Sequence, residues 1–116
     1  MTTPCPTQTV QRQLDAYNAR DIDTFLAQFA ADAAIFELGS ATPSTQGTEA
    51  LRARYGELFE RSPRLHCTVL NRSRLGRAVV DLEHIVGRLG QSEALMMLAI
   101  YEVEHGLIQR AHFVRA

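Results

Sequence analysis

Residues 10–37 have the sequence VQRQLDAYNARDIDTFLAQFAADAAIFE, in which a helical spacing of apolar residues gives way to an apolar strand. In the first part, Val10, Leu14 and Tyr17 recur at positions i, i+4 and i+7. This spacing places the three side chains on one face of a helix. We therefore predict a first amphipathic helix over residues 7–19.

A second helix and a strand complete this stretch. Asp21 is a residue type that caps helices, because its side-chain oxygen accepts a hydrogen bond from a free backbone N–H group. The helix that follows has one apolar face, formed by Ile22, Phe25, Leu26 and Phe29. Residues 33–38 then form an apolar strand in which Glu37 is the only carboxylate.

The rest of the chain predicts one further helix and four strands. A polar, turn-rich segment over residues 39–47 leads to Thr48, the expected cap of a third helix that ends before Pro63. From there on apolar residues alternate, and glycines separate four strands near residues 65–74, 77–88, 93–104 and 107–115. We predict an α+β fold in which three N-terminal helices pack in a strongly curved, cone-shaped sheet, mixed or antiparallel, around a hollow.

Composition restricts the class of protein. With 116 residues and 46% hydrophobic content, the chain matches a single domain over residues 1–116. Its 12 basic and 13 acidic residues give a net charge of −1, without the basic excess of proteins that bind nucleic acid or anionic membranes. We expect a small hydrophobic molecule and a second copy of the chain as partners.

Cysteine and histidine spacing argues against disulfide and metal sites. Cys5 and Cys67 are too few for a disulfide framework and lack Cys-x-x-Cys spacing. The four histidines show no His-x-His or His-x-x-x-His spacing. The first residues, MTTPCP, show no basic stretch followed by an apolar run, and no segment has the roughly 20 apolar residues that a membrane span needs. We therefore expect a cytoplasmic protein with no metal and no cofactor.

Glu37 is the first candidate for chemistry. A carboxylate in an apolar strand is unusual, because removing it from water costs several kcal/mol unless it is paired or protonated. Two interpretations are open: Glu37 points into the hollow and acts there, or it turns outward at the strand end and is solvated.

Two segments of the sequence resemble a known superfamily. Residues 10–37 and residues 100–113, IYEVEHGLIQRAHF, are similar to the nuclear transport factor 2-like superfamily, in particular its ketosteroid isomerase-like and SnoaL-like branches. The resemblance implies the cone-shaped, cystatin-like fold of these proteins. Because that fold hosts isomerases, cyclases and dehydratases as well as domains without catalysis, it does not define the reaction.

The resemblance also implies roles for single residues. In ketosteroid isomerases a carboxylate at the end of the first strand moves a proton between carbons, and that position falls on Glu37. The tyrosine and the protonated aspartic acid that polarise the substrate carbonyl fall on Gln13 and Ala99. Because neither residue is a hydroxyl-type donor, the oxyanion hole of those enzymes is absent.

Strand alternation offers His84 as a second catalytic residue. Within residues 79–86 one face carries Val80, Leu82, His84 and Val86. The resemblance implies that this face lines the hollow, where His84 would act as acid, base or donor. Asp81 and Glu83 would then lie on a solvated face and pair with nearby arginines. The alternative for His84 is a core histidine bonded to a backbone carbonyl.

The predicted site combines catalytic and lining residues. Glu37 and His84 are the expected catalytic pair, and Tyr17 or Tyr101 could supply the missing donor unless each is simply a core aromatic. The expected lining is apolar with few polar groups, and consists of Gln13, Tyr17, Phe25, Tyr55, Leu82, Met97, Ala99, Tyr101 and Phe113.

Residues 93–104 are apolar on both faces of a strand, so the outer face needs a cover. Because the helices occupy the concave side, we predict a homodimer through Met96, Leu98 and Ile100.

Two functions remain open. The first is a small cofactor-independent enzyme of the isomerase, cyclase or dehydratase type, which uses a pocket carboxylate for proton transfer on a hydrophobic carbonyl compound. The second is a non-catalytic domain for ligand binding or dimerisation. The absent oxyanion donors favour the second function, whereas an acid and a histidine facing the hollow favour the first.

Overall fold

The computed structural model of the protein describes residues 2–116, which form three α-helices, one short 3-10 helix and six strands. The α+β class is confirmed. In chain order the elements are α1 Pro6–Ala19, α2 Ile22–Leu26, β1 Phe29–Glu37, β2 Thr45–Gln46, α3 Thr48–Glu60, β3 His66–Leu75, β4 Ala78–Val86, the 3-10 helix Arg88–Gly90, β5 Leu95–Glu104 and β6 Leu107–Arg115.

The six strands form one mixed sheet in the order β2-β1-β6-β5-β4-β3. All neighbouring strands are antiparallel except β1 and β6, which run parallel and bring Glu37 opposite Phe113. Register shifts leave one extra residue in β3, between Val69 and Asn71, and one in β6, between Ile108 and Arg110. Because such bulges bend a strand and increase its twist, they allow the sheet to curve around the helices.

The predicted order of the elements is observed, with β2 as an addition, but the three helices are not all N-terminal to the sheet. Only α1 and α2 precede the sheet, because α3 follows β1 and β2. The segment expected to be a turn contains β2, where Thr45 pairs with Ile35. Helix α3 is preceded by Gly47 at a φ of 88°, whereas Thr48, the expected cap, is its first helical residue.

The connection between α1 and α2 follows from its sequence. Arg20 ends α1 in the left-handed conformation, with a φ of 53°. The Asp21 side chain then caps α2 by accepting a hydrogen bond from the Thr24 backbone N–H at 3.2 Å. Helix α2 has only five residues, because the chain is already extended at Phe29, which was predicted to be helical.

Aromatic side chains fill the space between the helices and the sheet. The Phe25 ring lies 5.0 Å from that of Phe29, 4.6 Å from that of Tyr55 and 5.5 Å from that of Phe59, between ring centroids. Each pair is tilted or edge-on, the arrangement that aromatic rings prefer. Phe25 is thus the centre of the core.

Candidate functional site

A cavity of about 210 Å³ lies between α1, α3 and the inner face of the sheet. Polar and apolar side chains from the helices and from the sheet line it. Seven of the eleven residues predicted for the hollow line this cavity, namely Gln13, Tyr17, Glu37, Tyr55, Met97, Tyr101 and Phe113. The other four lie elsewhere.

The prediction that the His84 face of β4 lines the hollow was wrong. Asp81 and Glu83 point inward and are only 1% and 5% exposed, whereas Leu82 is 37% exposed on the outer face. His84 shares that outer face and is half-buried there. His84 therefore does not meet Glu37 in the cavity, and neither His84 nor Leu82 lines it.

Two further residues predicted for the lining lie in the core. Phe25 is 1% exposed within the aromatic cluster, and Ala99 is fully buried opposite Asp81 in the β4–β5 pair. Both face the interior, as predicted, but neither reaches the cavity.

Glu83 is the buried acid of the cavity. Its Oε2 accepts a hydrogen bond from the Tyr101 hydroxyl at 3.4 Å. Burial, and then the negative charge of Asp81, raise the pKa of Glu83 to about 7, against the opposing effects of the Tyr101 hydrogen bond and the Arg72 charge. A carboxyl group with this pKa exchanges a proton readily at neutral pH.

Asp81, the neighbour of Glu83, is held in a buried ion pair. Its two carboxylate oxygens accept hydrogen bonds from Arg72 Nε at 2.7 Å and Arg72 Nη2 at 2.9 Å. The remaining Arg72 Nη1 donates to Gln11 on α1 at 2.8 Å. This bidentate geometry fixes both groups and keeps a negative charge next to Glu83.

Two tyrosine hydroxyls open onto the cavity. Tyr17 and Tyr55 line it, and within residues 2–116 neither hydroxyl makes a hydrogen bond, while no fully buried side-chain polar atom lacks a partner. The two hydroxyls must therefore contact the open space. Burial raises the pKa of Tyr17 and of Tyr55, so both stay protonated and can donate a hydrogen bond.

Glu37 lies at the mouth of the cavity, where its side chain is exposed. The interpretation that it is a buried, desolvated carboxylate was wrong, because β1 ends here and the chain turns into the loop at Leu38. Its carboxylate can still reach a ligand that fills the mouth.

Sequence reasoning missed Glu83. The expected inward direction of the β5 residues, combined with the pairing of β4 with β5, would have placed it in the interior. The β4–β5 pairing places Glu83 opposite Met97 and Asp81 opposite Ala99. Opposed residues in an antiparallel pair point to the same face of the sheet. The expectation that Met97 and Ala99 face inward therefore already requires the two acids to do so.

The described residues offer no metal centre and no membrane segment. Between residues 2 and 116, no three His, Cys, Asp or Glu side chains are grouped to hold a metal ion. None of the helices in this part of the chain has the length and apolar character needed to span a bilayer.

Comparison with known proteins identifies similar sequences and folds. The model of the SnoaL-like domain family matches residues 10–111. No curated protein matches the sequence. A cystatin-fold protein from Novosphingobium aromaticivorans is 25% identical, with a TM-score of 0.86 over 97% of this chain and 99% of its own.

The names of two other solved structures refer to an enzyme or to the fold of one. A protein from Sinorhizobium meliloti assigned as a polyketide cyclase is 20% identical, with a TM-score of 0.77 over 92% of this chain and 94% of its own. A protein with a ketosteroid isomerase-like fold from Catenulispora acidiphila, in complex with trimethylamine, is 18% identical, with a TM-score of 0.78 over 97% of this chain and 86% of its own. At these identities the likeness concerns the fold.

Proposed function

Because the chain belongs to the SnoaL-like domain family, we propose that it is a small enzyme that moves a proton on a hydrophobic carbonyl compound, with Glu83 as general acid and base. The observation that carries this proposal is the buried Glu83 carboxyl in the cavity, with its pKa raised to about 7. The names of the polyketide cyclase and of the ketosteroid isomerase-like fold support a carbonyl substrate.

The proposed reaction is an enolisation. The ionised Glu83 carboxylate takes a proton from the carbon next to the carbonyl group. The electron pair of that C–H bond forms the C=C bond of the enolate, and the π electron pair of the C=O bond moves onto the carbonyl oxygen. A hydroxyl of Tyr17 or Tyr55 donates a hydrogen bond to this oxygen and stabilises its negative charge. The neutral Glu83 carboxyl then returns its proton to a carbon of the enolate, which completes the cycle.

An assay with a simple ketone, which does not require the natural substrate, tests this reaction. In deuterated buffer at neutral pH, the protein is expected to accelerate exchange of the α-hydrogens of 2-tetralone, a small bicyclic ketone, followed by proton NMR. Glu83→Gln should slow the protein-dependent rate at least tenfold, because the amide cannot accept the proton.

Glu37→Gln is the matched control. Because Glu37 is exposed at the cavity mouth, its variant should keep the rate within about threefold. If the exchange rate is retained in Glu83→Gln and falls in Glu37→Gln, the base is Glu37 and not Glu83. Binding of 2-tetralone without any protein-dependent exchange would instead support the ligand-binding alternative.

We also propose a homodimer through the outer face of the sheet. Met96, Leu98 and Ile100 lie on this face, opposite His84, Leu82 and Val80 of β4. These apolar side chains are only half-buried, and Leu82 is 37% exposed, so no part of the chain between residues 2 and 116 covers them. A contiguous apolar patch of this kind favours packing against a second copy.

Leu98→Glu should convert the dimer to a monomer. The new carboxylate would lie at the centre of the apolar face, where pairing two copies would remove two charges from water. Sedimentation velocity measures the outcome. Leu75→Glu, at an 87% exposed leucine that ends β3, provides the same substitution outside the patch and should leave the mass unchanged. A monomeric wild-type protein would contradict the proposal.

A further inference from the structure

Four arginines surround the cavity mouth. Arg54 and Arg61 come from α3 and its end, Arg88 from the 3-10 helix and Arg115 from the end of β6. We call these four residues the arginine rim. A rim that is this basic is unexpected in a chain with a net charge of −1.

Two arginines of the rim are already engaged. Arg61 Nη1 lies 3.1 Å from Glu57 Oε1 in an exposed ion pair. Arg54 Nη1 donates to Thr45 Oγ1 at 2.9 Å, and its guanidinium lies 5.3 Å from the centre of the Tyr55 ring. Both side chains are thus held by neighbours on the protein.

The other two arginines have no such partner. Within residues 2–116, the side chains of Arg88 and Arg115 make no ion pair and no hydrogen bond. Both charges nevertheless act on the cavity, because each one opposes the effect of burial on the pKa of Tyr55. Arg88 has the same effect on Tyr17.

The loop that carries Arg88 is anchored on both sides of it. Gly87 has a φ of 73°, and a Cβ at this position would lie 2.2 Å from the Arg64 carbonyl oxygen. On the other side, the Leu89 backbone N–H donates to the buried Ser62 Oγ at 2.8 Å. Leu89 itself has a φ of 54°. A non-glycine residue in this conformation is held there by its surroundings, so the Arg88 backbone is fixed at the mouth.

We propose that Arg88 and Arg115 bind a carboxylate group of the substrate, whose apolar part fills the cavity. This inference rests on the proposed function and adds the substrate class to it: a hydrophobic carbonyl compound with one terminal carboxylate. Guanidinium groups bind carboxylates through paired N–H donors. Glu57 neutralises Arg61, and the exposed Glu37 offsets only one of the three remaining arginine charges, so the mouth keeps an excess of positive charge that favours an anionic group.

A pair of isosteric probes tests the substrate class. Isothermal titration calorimetry compares 2-naphthoate with 2-naphthamide, which has the same shape but no charge. The wild-type protein should bind the carboxylate about fivefold or more tightly than the amide, and the preference should weaken at high salt.

Arg88→Gln combined with Arg115→Gln should remove this preference. The double variant should lose about fivefold in affinity for 2-naphthoate and keep its affinity for 2-naphthamide within twofold, which also shows that its cavity is intact. Arg12→Gln, an exposed arginine of α1 that does not line the cavity, is the control and should behave as the wild type.

The outcomes separate this inference from the proposed function. Equal wild-type affinities for both probes, or a carboxylate preference that survives in the double variant, would overturn the anion site and leave the Glu83 reaction standing. If neither probe binds, the cavity takes no ligand of this kind and both proposals are overturned.

Discussion

Asp81→Ala is expected to lower the free energy of unfolding by about 3 kcal/mol, the lower end of the range for breaking a buried ion pair. Asp81 is 1% exposed and accepts two hydrogen bonds from Arg72, at 2.7 and 2.9 Å. Its removal leaves the Arg72 guanidinium without an anionic partner, with only its hydrogen bond to Gln11. Because the Arg72 side chain is 21% exposed, water can reach it and reduce the loss. Urea denaturation followed by circular dichroism gives the value.

Two further variants identify the cause of this loss. Asp15→Ala removes an exposed aspartate of α1 and should change stability by less than about 0.5 kcal/mol. The double variant Asp81→Leu with Arg72→Met removes both charges and should recover most of the loss, because no unpaired ion remains. A loss below about 1 kcal/mol in Asp81→Ala would mean that the pair is not structurally important.

Glu83→Gln is expected to stabilise the protein at pH 8 by about 3 kcal/mol relative to wild type, and to have little such effect at pH 4. Burial raises the pKa of Glu83 from 4.5 to about 7 in the folded protein. Between these values the folded state keeps a proton that the unfolded state has lost, so the free energy of unfolding falls as pH rises. A shift of this size corresponds to about 3 kcal/mol.

The difference between wild type and variant isolates Glu83 from the other groups that titrate. Urea denaturation at several pH values should give a stability difference that grows from about pH 4.5 to pH 7 and is constant above it. Glu60→Gln replaces an exposed glutamate of α3, and its stability difference from wild type should not change over this pH range. A difference that does not change with pH would mean that Glu83 titrates normally.

The element types were predictable because they depend on local periodicity. Val10, Leu14 and Tyr17 all lie on the buried face of α1. The alternation after residue 65 corresponds to β3, β4, β5 and β6, since a strand buries every second side chain. Strand β2 was missed because two residues carry no periodicity.

The candidate site was less predictable, because its central feature reverses the usual pattern. Apolar residues normally face inward, but in β4 the inward face has Asp81 and Glu83, while Leu82 faces outward. Partners on the two neighbouring strands make this possible: Arg72 of β3 pairs with Asp81, and Tyr101 of β5 donates to Glu83. For Glu37, solvation at the strand end was one of the two open interpretations, and the choice between them depended on where β1 ends against β6.

The parallel pairing of β1 with β6 has a consequence for synthesis of the protein on the ribosome. Ile35 of β1 pairs with Ala111 of β6, so β1 can pair along this edge only after β6 has been translated. Until then one edge of β1 has unpaired backbone groups, which favour association with other nascent chains. Chaperone protection should therefore matter most late in translation, just before the strand that bears Phe113 and Arg115 becomes available.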